Sequence, residues 1–164
     1  MAELTHLDEK LAEVLGLAQA AQAATAEVSD LAREEDLTEL VDVLAQMGDE
    51  AKEVENRCQT VADSREGMKT AIKDKARETK AELQDFMQGY LEDAEALDGL
   101  EFLTMAEAGE MIHWEILAKL NESARDSDIS ALTDFAVPLQ QRHMESVHEH
   151  ALRLAADEDP AETD

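Results

Sequence analysis

The amino-acid sequence predicts an all-α protein, a four-helix bundle with an additional helical crossover between the second and third core helices. Ala, Glu, Leu, Lys and Arg make up about half of the 164 residues, which is typical of long helices. Proline occurs only twice and β-branched residues are sparse, so a β-sheet is disfavoured. We expect one bundle domain over residues 1–156 and an acidic flexible tail over residues 157–164.

The charge of the chain excludes several classes of partner. Forty acidic residues stand against 14 basic ones, so the formal net charge is −26. Because phosphate groups would be repelled, we expect no binding to nucleic acid or to a membrane. The single Cys58 precludes an internal disulfide and is compatible with the cytoplasmic location that we expect. The excess of acids also resembles the surface of a salt-adapted protein.

Capping patterns open the first two predicted helices. Thr5 and Asp8 form a capping pair, and apolar residues at helical spacing then carry the first helix over about residues 5–28. Asp36 and Glu39 form a capping box that opens the second helix. Each of these helices has a continuous apolar stripe, so both are predicted to be core helices.

The second helix extends to about residue 62, and Ser64 and Gly67 then interrupt the pattern. The stretch 67–91 that follows is helical but has a thin apolar face, which predicts a place on the outside of the fold. At 1.5 Å per residue it would be about 38 Å long, enough to return the chain along a bundle. We therefore predict that this stretch is the crossover.

The last two core helices are predicted from about residue 98 to 120 and from 129 to 154. Asp98 and the acid three residues later form the opening capping pattern of the earlier one. Asn121 and the polar residues after it are expected to form the turn between them. Pro138 lies inside the last helix, where it removes a backbone hydrogen bond and predicts a kink or a restart.

Polar residues on an apolar stripe are the informative ones in so acidic a chain. In the 98–120 helix, His113 falls within about 20° of the expected centre of the stripe and Glu110 about 80° away, at its edge. Glu107 and Trp114 are expected to point farther outward. The stripe itself consists of Phe102, Met105, Ala106, Gly109, Ile112, Ile116 and Leu120.

The last helix carries two sets of polar candidates. Gln140, His143 and His150 lie within about 60° of the centre of its apolar stripe. Glu145 and His148 point away on an ideal helix and are reserve candidates, because the expected kink could rotate them inward.

Glu55 is the anomaly of the second helix, because it falls on a stripe otherwise lined by apolar residues. A carboxylate at such a position is costly unless it is paired, protonated or bound to a metal ion. The alternative is that Glu55 reaches water near the helix end and pairs with Lys52 or Arg57.

Glu110 and His113, three residues apart, could both reach one metal ion, although a core histidine bonded to a neighbouring acid is the alternative. The segment 105–114 (MAEAGEMIHW), together with four long helices and a long second connection, resembles the ferritin-like superfamily of carboxylate-bridged di-iron or di-manganese proteins. That resemblance implies Glu ligands from several helices, Glu-x-x-His pairs and oxidation of Fe(II) by oxygen or peroxide. The second helix departs from the pattern, with Cys58 three residues after Glu55.

We therefore predict a protein that binds iron or manganese between its helices, with possible ferroxidase or peroxide-handling activity. The expected ligands are Glu55, Glu110, His113 and His143. Orienting or reserve roles are assigned to Glu107, Gln140, Glu145, His148 and His150. The alternative is a non-enzymatic acidic bundle without metal that serves as an interaction or stress-related structural protein. A homo-oligomer is compatible with either.

Overall fold

The computed structural model describes residues 3–161 and confirms the all-α class: within that range the chain forms five α-helices and no strand. The helices are α1 (His6–Glu34), α2 (Thr38–Ser64), α3 (Lys69–Tyr90), α4 (Ala96–Ala124) and α5 (Ser127–Asp157). None of them is apolar enough over a sufficient length to cross a membrane.

Helix α1 packs against three neighbours, α2, α3 and α4, and α4 in turn packs along α5. Contact between α2 and α5 is less extensive. Helix α3 packs mainly against α1 and buries only Ile72, Ala76, Thr79 and Met87, in keeping with its thin apolar face. At Gly16 of α1 a Cβ atom would lie 2.4 Å from the carbonyl oxygen of Ala76, so only glycine permits this approach of α3.

The core consists of two apolar clusters separated along the helices by a polar layer. One cluster includes Leu15, Trp114 and Leu139, and the other includes Val28 and Leu44. Between them lie five buried polar side chains on three helices: Glu55, Glu107, Glu110, Gln140 and His143. Because buried polar groups are costly unless they are satisfied, this layer is the part of the core that requires a chemical explanation.

The expected cap of α1 is confirmed, since Thr5 Oγ1 accepts a hydrogen bond from the backbone N–H of Asp8 at 3.1 Å. The capping box expected at Asp36 is wrong. Asp36 has a φ of 60°, and the N–H groups of Asp36 and Leu37 bond to the carbonyls of Arg33 and Ala32, respectively. This pattern closes the C-terminus of α1, so Asp36 ends one helix and does not begin the next.

The boundaries of α4 also differ from the prediction. Its capping box is formed by Glu95 and Asp98, one turn earlier than expected. Asn121 lies inside the last turn of α4, and its amide bonds to the backbone N–H and carbonyl of Asp126. Arg125, in the left-handed conformation, then makes the turn into α5.

The predicted orientation of α4 is wrong. Trp114 and Glu107, expected to point outward, are buried, whereas Met105, Ile112 and Ile116 are exposed at 47%, 49% and 37%. The reason is that α4 is apolar around most of its circumference. Periodicity alone therefore could not decide which face meets the neighbouring helices.

Of the kink or restart expected at Pro138, the restart does not occur, because α5 continues through the proline as one helix. Gln140 and His143 are buried on its inner face, and Glu145 and His148 are exposed, as the helical spacing predicted. The helix ends at Asp157, and the expected tail beyond it is described only as far as residue 161.

Candidate functional site

Two carboxyl groups on successive turns of α4 lie in the polar layer. Glu107 and Glu110 are 2% and 5% exposed, and neither pairs with Lys or Arg among the described residues. The Gln140 amide donates a hydrogen bond to Glu107 Oε2, and the Trp114 indole N–H lies 3.3 Å from Glu110 Oε1. The core therefore holds two acids whose partners are neutral.

Burial decides the protonation of this pair. Desolvation, followed by the neighbouring Glu110, raises the pKa of Glu107 well above its ordinary value. Desolvation raises the pKa of Glu110 to about 7, against a smaller opposing effect of the Trp114 hydrogen bond. Two like charges so close in a dry core are unfavourable, so at neutral pH the pair retains at least one proton.

His143 faces the acids from α5 and is oriented by Glu50 of α2. Its Nε2 lies 2.5 Å from Glu50 Oε2, and burial lowers the pKa of His143 despite that carboxylate. Burial would raise the pKa of Glu50, but hydrogen bonds from His143 and Gln46 outweigh it and the pKa is lowered. An ionised carboxylate only accepts hydrogen bonds, so Nε2 carries the imidazole proton.

The other ring nitrogen of His143 is consequently an acceptor that faces α4. Its Nδ1 lies 3.8 Å from Glu107 Oε2, too far for a hydrogen bond. Metal–nitrogen and metal–oxygen bonds are each about 2.1 Å long, so an ion placed between the two atoms would reach both. A carboxylate that fixes the tautomer of a histidine is also the usual companion of a metal-binding imidazole.

Glu55 is buried as predicted, but all of its hydrogen-bonding capacity is directed elsewhere. Its Oε2 accepts from Lys52 at 2.7 Å and from Gln22 at 2.8 Å, and its Oε1 accepts from Gln19 and Gln59. These bonds outweigh the effect of burial and lower the pKa of Glu55. The expected pairing with Lys52 is therefore present, and Glu55 is a fully satisfied carboxylate.

His113 does not join the buried acids. Its Nδ1 lies 3.0 Å from Glu13 Oε2 and 3.3 Å from Lys10 Nζ, both on α1, and a third of its side chain is exposed. The groove beside it is lined by residues of α1 and α3. The Glu110–His113 pair thus lies on one helix, with the two side chains directed to different environments.

The reserve residues of α5 lie outside the polar layer. Glu145 accepts a hydrogen bond from Gln141, and His148 is exposed beside a shallow groove. His150 Nδ1 bonds to the carbonyl of Ser146 at 2.8 Å, and its Nε2 is buried without a partner. None of these three side chains contacts Glu107 or Glu110.

Sequence reasoning did not select Glu50 and placed Glu107 on the wrong face. A signal for Glu107 exists, because Leu103, Glu107, Glu110 and Trp114 follow the spacing of one helical face. A face centred on Trp114 includes Glu107, whereas a face centred on Phe102 does not. The signal for Glu50 is weaker: it follows the buried Met47 by three residues and therefore lies on the same face of α2.

Within residues 3–161, no three His, Cys, Asp or Glu side chains converge closely enough to hold a metal ion as they stand. No protein-family model, curated protein or solved structure matches the chain.

Proposed function

We propose that this protein binds a divalent ion, iron or manganese, between α4 and α5. The observation that carries the proposal is His143, which is held by Glu50 through Nε2 and presents Nδ1 3.8 Å from Glu107 Oε2. Glu107 and His143 would bind the ion, and Glu50 would orient the imidazole. Glu110 would complete the site by turning from Trp114.

The packing of the helices supports a ferritin-like architecture for this site. Helices α2, α4 and α5 carry the polar layer, α1 packs against α2 and α4, and α3 lies against α1 as the connection between α2 and α4. A four-helix bundle with a helical crossover has this arrangement, and such bundles build metal sites from inward Glu and His residues. Glu55 and His113 are left out of the proposed site because their partners lie elsewhere.

The donor set suits the proposed ions. Carboxylate oxygens with one imidazole nitrogen are ligands of iron, manganese and zinc. A bound iron or manganese ion would supply redox chemistry towards oxygen or peroxide. The protein's own contribution is to give up a proton from the Glu107–Glu110 pair, to exclude water and to hold the imidazole in one tautomer.

Anaerobic equilibrium dialysis against Fe(II), and separately Mn(II), followed by metal analysis tests the proposal. We expect the wild type to bind at least one equivalent, and Glu107→Gln and His143→Ala to lose it, because each removes one of the two facing donors. Trp114 fluorescence gives a second readout, since the indole bonds to the carboxyl group that must move.

Matched controls are available in the same chain. Glu55→Gln removes a buried carboxylate, and His148→Ala removes an exposed imidazole on the same helix as His143. Both should bind as the wild type does, and circular dichroism verifies that each variant is folded. A wild type that binds neither ion contradicts the proposal, as does retention of metal by folded Glu107→Gln.

A non-enzymatic bundle is the second candidate. It is favoured by the absence of a preformed three-ligand group in residues 3–161 and by the hydrogen bonds from Gln140 and Trp114 that already satisfy part of each acid. In that case Glu107 and Glu110 would be protonated core groups. Dialysis separates the two candidates, because only the first predicts bound metal.

A further inference from the structure

Helix α4 has an apolar face that the rest of the described chain leaves partly exposed. Met105, Ile112 and Ile116 are exposed at 47%, 49% and 37%, and Gly109 lies between them on the same face. We call these four residues the α4 stripe. Leu152 of α5, 61% exposed, lies across a groove of about 390 Å³ from Met105 and widens the apolar surface.

The spacing of the α4 stripe is that of a helix-pairing seam. Its members follow one another at intervals of four, three and four residues, the alternation of apolar positions in a heptad pattern. A Cβ atom at Gly109 would meet no atom within 4 Å, so the surface is open at its centre. Small side chains at Ala108 and Gly109 would let a second helix approach closely.

The charges at the two ends of the α4 stripe are opposite. Glu101 and Lys119 are exposed and fall within about 50° of the centre of the stripe. Residue 110 lies midway between them, and the α4 stripe is centred between residues 110 and 111. An antiparallel copy of the same helix would therefore place Glu101 beside Lys119 and Met105 beside Ile116.

We infer that the α4 stripe is the interface of a symmetric dimer, in which α4 packs antiparallel against α4 of a second copy of this chain. Charge complementarity selects the second copy, because rotation about a two-fold axis near residue 110 pairs Glu101 with Lys119 twice. The interface lies on the opposite side of α4 from Glu107 and Glu110. The inference therefore goes beyond the proposed metal site and does not depend on it.

The net charge of −26 opposes association of two copies. Salt screens this long-range repulsion more than it weakens contacts within an interface. Dimerisation should consequently strengthen as salt concentration rises, the opposite of the trend expected for a partner held mainly by opposite charge.

Sedimentation equilibrium of the full chain at low and high salt tests the inference. We expect a monomer–dimer equilibrium in the wild type and a dissociation constant raised roughly 100-fold in Ile112→Glu, which places a carboxylate at the centre of the interface. Gln88→Glu adds the same charge on the exposed part of α3 and should leave the constant unchanged within about twofold.

Charge reversal tests the antiparallel register. Glu101→Lys should weaken the dimer roughly fivefold although it lowers the net repulsion, and Lys119→Glu should also weaken it. The double variant restores both pairs and should recover wild-type affinity. If net charge alone governed association, Glu101→Lys would tighten the dimer, which would contradict the register.

Two results overturn the inference. One is a wild type that remains monomeric at about 1 mM in high salt. That result would mean that the α4 stripe does not bind a second copy and instead binds a different protein. The other is a folded Ile112→Glu variant that dimerises like the wild type, which would place the interface on another face. Because Ile112 is exposed, circular dichroism and thermal unfolding of this variant should match those of the wild type.

Discussion

His143 Nδ1 on α5 and Glu107 Oε2 on α4 face each other across the buried centre of the protein at 3.8 Å. Burial favours the neutral form of both groups, since it lowers the pKa of the imidazole and raises that of the carboxyl group. A cation placed between them would find one nitrogen lone pair available and would have to displace the proton of one acid. Metal binding and proton release are therefore coupled in the proposed site.

Glu50 should act on metal binding through His143 without contacting the ion. We expect Glu50→Gln to raise the dissociation constant for Mn(II) by about 10-fold, because the imidazole loses its anionic orienting partner. The same substitution should lower the pKa of His143 further, which NMR titration of the imidazole measures. Asp49→Asn, at the exposed neighbouring position, is the control. An unchanged His143 pKa in Glu50→Gln would show that the carboxylate does not orient the ring.

Glu110 should make the protein less stable at alkaline pH. Its pKa rises from 4.5 to about 7 on folding, so the folded state holds the proton more tightly than the unfolded state. The resulting stability is complete below about pH 4.5 and is lost as the pH rises through about 7. We expect Glu110→Gln to match the wild type near pH 5 and to exceed it by on the order of 2 kcal/mol near pH 8.

Urea unfolding at the two pH values measures this difference. Glu115→Gln, on the same helix but exposed, removes a carboxylate without removing a buried one and should follow the wild-type profile. If the free energies of unfolding of wild type and Glu110→Gln run parallel across this range, Glu110 does not carry the raised pKa.

Gly16 should be intolerant of any side chain. A Cβ at this position would lie 2.4 Å from the carbonyl oxygen of Ala76 and 2.8 Å from Cβ of Thr79, so α3 would have to move. We expect Gly16→Ala to destabilise the protein by about 2–3 kcal/mol. Gly89→Ala, where a Cβ meets nothing within 4 Å, should instead stabilise it by roughly 0.5 kcal/mol. Thermal unfolding measures the stability of both variants. If Gly16→Ala changed the stability no more than Gly89→Ala does, the close contact between α1 and α3 would be refuted.

Asp126 should stabilise the α4–α5 connection in two separable ways. Its Oδ1 accepts hydrogen bonds from the N–H groups of Asp128 and Ile129, and its Oδ2 accepts one from Arg65 Nη1 at 2.6 Å. Asp126→Asn keeps a capping oxygen and loses the ion pair, whereas Asp126→Ala loses both. We expect the alanine variant to be less stable than the asparagine variant by about 1 kcal/mol.

The pH dependence separates these two contributions. The hydrogen bond from Arg65 holds the pKa of Asp126 below its usual 3.8, so the ionic part is present at neutral pH and is lost as the pH falls through that lowered value. Wild type and Asp126→Asn should therefore converge in denaturant titrations at strongly acidic pH. A constant difference between them down to that pH would assign the effect to something other than ionisation.

Several features of this protein followed from sequence alone because they depend on residues close together in the chain. Helical spacing predicted five helical segments, and the cap at Thr5 requires only residues of the first turn. Glu55, Gln140 and His143 were placed inward because the helices that carry them each have a single apolar stripe. On such a helix, one period determines which residues are buried.

Tertiary structure decided the features that involve a choice between faces or a partner far along the chain. Helix α4 is apolar on two sides, so only packing against α1 and α5 determined that Trp114 and Glu107 are buried and that Ile112 is exposed. The bond between Glu50 and His143 joins residues 93 positions apart. Local periodicity describes what a helix could bury, but the neighbouring helices determine which of its faces loses contact with water.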